Sequence, residues 1–210
     1  MNKKTIIVVF FFGVLFISNI YAITLENVVE ILSRNKVTSG DFTQTKVVNT
    51  SKGVREIKSF GNFVLSTNGI MWNTTRPFPT RLIVTDKKII QIDSKNNQST
   101  IDGSDNVTFK SISSTIASIF SNDLNIIKEK FICSFSEKDN NIWVLELIPK
   151  DNTIKTVINS LILEGTFIEK KCTLTSLVMI EKNENQIKYT FSNQKYSDKI
   201  EDEILLSFIE

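Results

Sequence analysis

Histidine is absent from this 210-residue sequence, and cysteine occurs only at Cys133 and Cys172. Without histidine, neither a Ser-His-Asp triad nor a Cys-His pair can form within the chain. A zinc site made of the usual nitrogen and sulfur ligands is excluded for the same reason. We therefore expect no catalytic residue, no bound metal and no cofactor.

The chain also lacks an excess of charge of either sign. It has 25 basic and 23 acidic side chains, a formal net charge of +2. The acidic residues fall in short mixed groups that are typical of solvated turns. Such a balance gives no extended positive field for nucleic acid. It favours a monomer that meets its partners through a local surface.

Long apolar runs are missing except at the amino terminus. Lys3 and Lys4 precede an uninterrupted apolar run of 12 residues, Ile6 to Ile17, and small or polar residues follow it as far as Ala22. This order is typical of a secretory signal peptide. The run is shorter than the roughly 20 apolar residues that cross a bilayer. The sequence predicts a signal peptide over residues 1–22, cleaved after Ala22, and one exported domain over residues 23–210. An uncleaved amino-terminal anchor is the alternative.

Export would place the two cysteines in an oxidising compartment, where disulfides form. Both lie in strand-like segments. Spacing alone does not show whether Cys133 and Cys172 meet, so their pairing stays open.

The most informative stretch runs from Ser59 to Thr85 and alternates apolar with polar or small residues. Asn68-Gly69 in its middle is a strong signal for a tight hairpin. Alternation places Phe63 and Leu65 on one face of the strand that precedes the turn. Pro77 and Pro79 cannot donate ladder hydrogen bonds, so the chain must turn there or run along an edge. We predict an antiparallel meander.

The rest of the chain adds more strands and a few helices. Thr24 to Lys36 has helical spacing with Thr24 as a plausible cap, and Ser39-Gly40 is expected to end that helix. Residues 94–105 read as a polar loop, whereas the Ser- and Thr-rich segment 111–120 and residues 124–130 have helical spacing. Further strands are predicted at 41–49, 89–93, 131–135, 141–148, 157–166, 174–180, 186–192 and 204–209. Ten or eleven strands in one domain fit a single long, curved antiparallel sheet folded round its helices.

Several segments together resemble the periplasmic outer-membrane lipoprotein carrier family, the LolA-like proteins. They are Phe42-Thr43-Gln44, the hairpin from Gly61 to Trp72, the proline five residues after Trp72, L-I-V-T-D at 82–86 and L-E-L-I-P-K at 145–150. The resemblance extends over residues 24–209. It implies a mainly β fold, an incomplete, half-open β-barrel of about eleven antiparallel strands with an α-helical lid over an apolar concave face.

The resemblance also implies a function. Members of this family are periplasmic and take acylated lipoproteins from an inner-membrane transporter to an outer-membrane receptor. One position departs from the better-known carriers, which have an arginine in the strand that leads to the tryptophan and use it to hold the lid. Here that region reads Leu65-Ser66-Thr67-Asn68. A serine or threonine would hold a lid only weakly.

We expect the cargo, an acylated lipoprotein or another envelope lipid, to bind apolar residues of the sheet and the lid. Each of these residues could equally belong to an ordinary core. The predicted lining residues are Phe42, Phe63, Leu65, Met71, Trp72, Leu82 and Val84 from the sheet, with Ile112, Ile116, Ile119 and Phe120 from the lid.

Two other classes of function stay open. The first is a non-transporting periplasmic scaffold or regulator on the same half-barrel, which senses lipidated or misfolded partners. The second is an enzyme acting on an envelope lipid, which the absence of histidine and of any nucleophile context makes much less favourable.

Overall fold

Eleven antiparallel strands form one open sheet in the computed structural model, which describes residues 23–85, 88–101, 115, 117–138, 141–201 and 208. The predicted signal peptide lies outside these residues. The strands are β1 (Val37–Thr50), β2 (Gly53–Ser66), β3 (Gly69–Arg76), β4 (Thr80–Val84), β5 (Ile89–Ile92), β6 (Gln98–Ile101), β7 (Phe131–Lys138), β8 (Ile142–Pro149), β9 (Ile158–Ile168), β10 (Lys171–Glu181) and β11 (Gln186–Ser197).

Two meanders make up this sheet, β1 to β6 and β7 to β11, and they join where β1 pairs with β11. The strand order is β6-β5-β4-β3-β2-β1-β11-β10-β9-β8-β7. At the joint, Phe42 of β1 lies opposite Phe191 of β11. Within the described part of the chain, the two terminal strands β6 and β7 do not pair with each other, so the sheet stays open. The predicted fold, a single antiparallel sheet of about eleven strands, is confirmed.

Among the described residues, three short helices have both ends defined: α1 (Leu25–Leu32), α2 (Leu124–Lys130) and α3 (Asn152–Lys155). Thr115 and residues 117–120 are also helical. The predicted cap of α1 is confirmed as a capping box, since the Thr24 side chain accepts from the Asn27 amide and the Asn27 side chain accepts from the Thr24 amide. Each helix is too short to be stable alone, so packing against the sheet must hold it. No helix among the described residues has the length and apolar character needed to cross a bilayer.

The structure differs from the sequence prediction at several boundaries. α1 ends at Leu32, and Ser39-Gly40 lies inside β1 rather than at a helix end. The predicted polar loop contains β6, which pairs with β5 although it has no apolar alternation. α3 was not predicted because four residues give no periodic signal. Phe208 is helical, and most of the strand predicted at 204–209 lies outside the described residues.

The two faces of the sheet carry separate apolar clusters, because neighbouring residues of a strand point to opposite sides. The face covered by α1, α2 and α3, here called the inner face, contributes buried residues from ten of the eleven strands to one continuous cluster. The opposite, outer face has a smaller cluster on β1 to β5, which Phe208 and Ile200 cover. That outer cluster consists of Val37, Val64, Met71, Ile83, Ile90 and Phe208.

Trp143 is the largest side chain of the inner face that is almost fully buried, with 1% of its surface exposed. It lies opposite Gly165 on β9. A Cβ added at Gly165 would collide with the Trp143 ring and with the Thr173 carbonyl oxygen. A glycine at this position therefore makes room for the indole and keeps β8, β9 and β10 in close register.

We expect Gly165→Ala to destabilise the domain by about 1–3 kcal/mol, since an extra methyl must displace the Trp143 ring or the β10 backbone. The free energy of unfolding in urea would measure this. Ser134→Ala, at an exposed position of β7, is the control and should change that free energy by less than about 0.5 kcal/mol. Equal effects of the two substitutions would contradict the packing described here.

Candidate functional site

Five aromatic rings, here called the aromatic cluster, meet on the inner face where the two meanders join. Trp72 contacts the rings of Phe42, Tyr189, Phe63 and Phe191, with ring centroids 5.5, 5.2, 5.8 and 6.0 Å from its own. Edge-on and tilted geometries dominate, and such pairs add about 0.5–1.5 kcal/mol each to the burial of apolar area. The cluster is therefore a well-packed apolar surface.

The strand register explains why these rings meet. Phe63 pairs with Trp72 across β2 and β3, and Phe42 pairs with Phe191 across β1 and β11. Gly61 of β2 lies opposite Phe42, and a Cβ added there would come within 2.7 Å of the Phe42 ring. The absence of a side chain there lets the Phe42 ring lean over β2 to within reach of Trp72.

Polar side chains border the aromatic cluster toward the β1–β2 turn. The Gln44 side-chain amide donates to the Tyr189 hydroxyl at 3.0 Å, and Lys46 forms an ion pair with Glu181 at 3.5 Å. Burial raises the pKa of Tyr189 to about 12, so the phenol is neutral at physiological pH. We call Gln44, Lys46, Tyr189 and Glu181 the polar rim, which could meet the polar end of an otherwise apolar ligand.

Helices close the inner face from the other side. Leu25, Val28, Val29 and Leu32 of α1 belong to the same apolar cluster as Trp72, as do Ile119, Phe120 and Ile127. α1 and α2 are linked by an ion pair between Glu26 and Lys128 at 3.0 Å. The hydrogen bond from Lys128 lowers the pKa of Glu26. Both side chains are largely exposed, so this link is weak and apolar packing holds the helices.

The structure brings most of the predicted lining residues together on the inner face. Phe42, Phe63, Leu65, Trp72, Val84, Ile119 and Phe120 are all buried in its cluster, and Leu82 packs against it while partly exposed. Leu82 lies opposite Trp72 across β3 and β4. Leu82 is therefore more exposed to solvent than the seven buried lining residues on this face.

Three of the predicted lining residues do not join this set. Met71 lies in the outer cluster with Val64 and Ile83, because it follows Ile70 and precedes Trp72 on one strand and must point away from both. The expectation that Met71 and Trp72 share a face was wrong for this reason. Ile112 and Ile116 lie outside the described residues.

The polar side chain of Ser66, in the region 65–68, bonds within its own turn. The Ser66 hydroxyl donates to the Gly69 carbonyl at 3.2 Å and accepts from the Asn68 amide, so it serves the β2–β3 turn. Leu65 contributes an apolar side chain to the inner face. Among the described residues, no hydrogen bond joins the Ser66 hydroxyl to a helix, so the expectation that a serine here would hold a lid only weakly stays a prediction.

Two residues of the site were not among the predicted lining residues. Tyr189 and Phe191 complete the aromatic cluster, and they alternate with their neighbours along β11 so that both rings lie on one face. The missing information was the pairing of β1 with β11, which joins segments about 150 residues apart in the chain. Leu145, Leu161 and Leu163 of the second meander extend the inner face in the same way.

The cysteines contribute no reactive thiol. Cys133 and Cys172 are both free, so they do not form the disulfide left open by the sequence. Burial raises the pKa of both thiols, that of Cys172 to about 12, which is opposite to the shift that activates a nucleophile. Among the described residues, no three potential ligands are grouped to hold a metal ion.

Comparison with known proteins gives one family match. The family model described as "Outer membrane lipoprotein carrier protein LolA" matches residues 33–205. No curated protein sequence matches the chain.

Several solved structures are similar. A DUF1329 family protein from Desulfovibrio piger has a TM-score of 0.51 at 10% identity, over 85% of this chain and 92% of that one. At this identity the likeness shows a common fold alone. A LolA superfamily protein from Nitrosomonas europaea has a TM-score of 0.48 at 11% identity, with 86% and 94% covered. A putative outer membrane lipoprotein-sorting protein domain from Vibrio parahaemolyticus has a TM-score of 0.45 at 11% identity, with 89% and 99% covered.

Tyr189 is partly buried, and the desolvation of its phenol predicts a loss of stability at alkaline pH. Its pKa is raised from 10 to about 12 in the folded state, so the folded state resists its ionisation. Stability is unaffected below about pH 10 and falls as pH rises from 10 to 12, by about 1–3 kcal/mol. Tyr189→Phe should differ from the parent by a constant amount up to pH 10 and lose less stability above it. Parallel unfolding curves at every pH would contradict this burial.

Proposed function

Because this chain belongs to the LolA family of outer membrane lipoprotein carrier proteins, we propose that it is a periplasmic carrier of acyl chains. The family match confirms the resemblance seen in the sequence. In this proposal the chain takes an acylated lipoprotein, or another envelope lipid, from an inner-membrane donor to an outer-membrane acceptor. It acts as a monomer after export and removal of residues 1–22, and it uses no catalytic residue.

One observation supports the proposal most directly: in the described part of the chain, a continuous apolar face contributed by ten strands is covered by short helical segments, namely α1, α2, α3 and residues 117–120. A sheet of this size would ordinarily be covered by a second layer of comparable extent. Short helices form a cover that can be lifted without unfolding the sheet. The surface they leave would be apolar and would suit an acyl chain.

Energetics explain why such a carrier would need a cover. Each buried methylene contributes about 0.8 kcal/mol, so a long acyl chain on a permanently open apolar face would bind too tightly to be released. Moving α1 and α2 off the inner face exposes Leu25, Val28, Val29 and Ile127, which costs free energy and offsets part of that gain. Binding then stays reversible, and the cargo can be released to the acceptor.

The position of a bound chain follows from the partly exposed residues. Leu82 and Tyr189 are the members of the inner face beside Trp72 that solvent reaches. We place the first part of the acyl chain against these three side chains. The polar rim, which includes the Tyr189 hydroxyl, would then face the ester or amide group of the cargo.

A scaffold or regulator on the same fold is the second candidate. It is favoured by the tight packing of the inner face, where seven of the predicted lining residues are no more than 9% exposed. A protein of that kind would keep its helices closed and would bind acyl chains weakly. An acyl-binding measurement therefore separates the two functions.

We expect Leu82→Glu to weaken binding of a fluorescent acyl probe at least tenfold, or about 1.4 kcal/mol, because it puts a charge in the path of the chain. Ile92→Glu is the matched control. Ile92 is also partly buried and lies on the neighbouring strand, but it packs on the outer cluster. The control should keep probe binding within about twofold at a similar melting temperature. Equal loss in both variants would show damage to the fold instead of the site.

The cargo itself can be identified by native mass spectrometry of protein purified from its own periplasm without detergent. An acylated protein or a lipid that leaves in organic solvent would support the carrier function and name its cargo. Protein that is empty in repeated preparations and that does not take up the acyl probe would overturn it and favour the scaffold.

A further inference from the structure

The start of the described chain is fastened to the far meander by one hydrogen bond. The Ile23 backbone nitrogen donates to the Glu137 carboxylate at 3.2 Å, across 114 positions of sequence. The Ile23 side chain is 7% exposed and belongs to the inner-face cluster. Its position is therefore set by packing as well as by the hydrogen bond.

Glu137 is placed so that it faces the beginning of α1. It lies near the end of β7, opposite Trp143, and on the same side of that strand as Phe135 and Cys133. Among the described residues, no lysine or arginine forms an ion pair with Glu137. In the part of the chain that the structure describes, this carboxylate at the rim of an apolar face therefore has the Ile23 backbone nitrogen as its hydrogen-bond partner.

That nitrogen would change its chemistry if the leader were removed where the sequence predicts. Cleavage of the bond between Ala22 and Ile23 turns the neutral amide of Ile23 into an α-ammonium group. We propose that Glu137 is the acceptor for this new amino terminus, and that the ion pair fastens α1 on the inner face after processing. The proposal rests on the export step of the proposed function but not on acyl binding.

Two physical arguments support the pairing. A hydrogen bond between an ammonium and a carboxylate is roughly twice as strong as one made by a neutral amide. An ammonium two residues before α1 also lies at the positive end of the helix dipole, which is unfavourable unless an anion is close by. Glu137 supplies that anion, because its carboxylate accepts from the Ile23 nitrogen, which becomes an ammonium group on cleavage.

The burial of Ile23 also suggests the order in which cleavage of the leader and docking of α1 occur. A peptidase needs an extended, accessible segment around the bond that it cuts, and a side chain that is 7% exposed does not offer one. We therefore expect cleavage before Ile23 to precede the docking of α1. Closure of the inner face by α1 would follow processing.

The amino terminus of the exported protein gives the first test. Intact mass and amino-terminal sequencing should show a chain that begins at Ile23. A chain that begins at any other residue would overturn the proposal, because its ammonium group would not reach Glu137.

The ion pair itself is tested by a double-mutant cycle on protein that begins at Ile23 and on protein extended by Gly-Ser before Ile23. In the first, Glu137→Gln should lower the folding equilibrium constant about threefold, as expected for a partly exposed pair. In the extended protein the same substitution should have less than about half of that effect. Glu129→Gln, an exposed site on α2, removes the same charge and should have little effect in either protein.

A readout specific to charge completes the test. Nuclear magnetic resonance titration of the Ile23 α-amine should give a higher pKa in the parent than in Glu137→Gln. An unchanged pKa together with equal effects of Glu137→Gln in both proteins would show an ordinary hydrogen bond to the backbone. Either result leaves the acyl-binding measurements unaffected, so the two proposals can fail separately.

Discussion

The pairing of β1 with β11 is the interaction on which the rest of this structure depends. It joins two meanders that are each continuous in sequence, and it does so through ten aligned residue pairs with one shift in register between Ser39 and Asp41. Without it, Trp72 and Phe63 on one side and Tyr189 and Phe191 on the other would belong to different sheets. The aromatic cluster is the side-chain consequence of this backbone pairing.

In the proposed function, the inner face would serve both as a core and as a binding site. Its residues are as buried as those of an ordinary interior, and the helices that shield them from solvent are short. The free energy that closes this face is the same free energy that an acyl chain would recover on binding. A carrier built in this way needs no special binding residue, because the competition between helix and ligand sets the affinity.

The helices are held by different means at different points. Apolar packing fixes α1 along its length, the exposed pair of Glu26 and Lys128 joins it weakly to α2, and Glu137 receives the backbone just before it. Among the described residues, the Ser66 side chain bonds within its own hairpin, to Gly69 and Asn68. In the described part of the chain, apolar packing thus holds the helices on the sheet, and the hydrogen bond from Ile23 to Glu137 adds one polar contact before α1.

The sequence by itself determined the class of fold and most of its strands, because period-two alternation, the turn near Asn68-Gly69 and the capping pair Thr24 and Asn27 are local signals. It also determined the family, and seven of the residues predicted to line the cavity lie together in the inner-face cluster; their role in binding stays a prediction. Only the tertiary structure decided that Met71 belongs to the outer face, that Tyr189 and Phe191 complete the aromatic cluster, that the two cysteines stay apart and that Glu137 meets Ile23. Each of these depends on which distant strands pair and in which register, and no local pattern of residues encodes such long-range contacts.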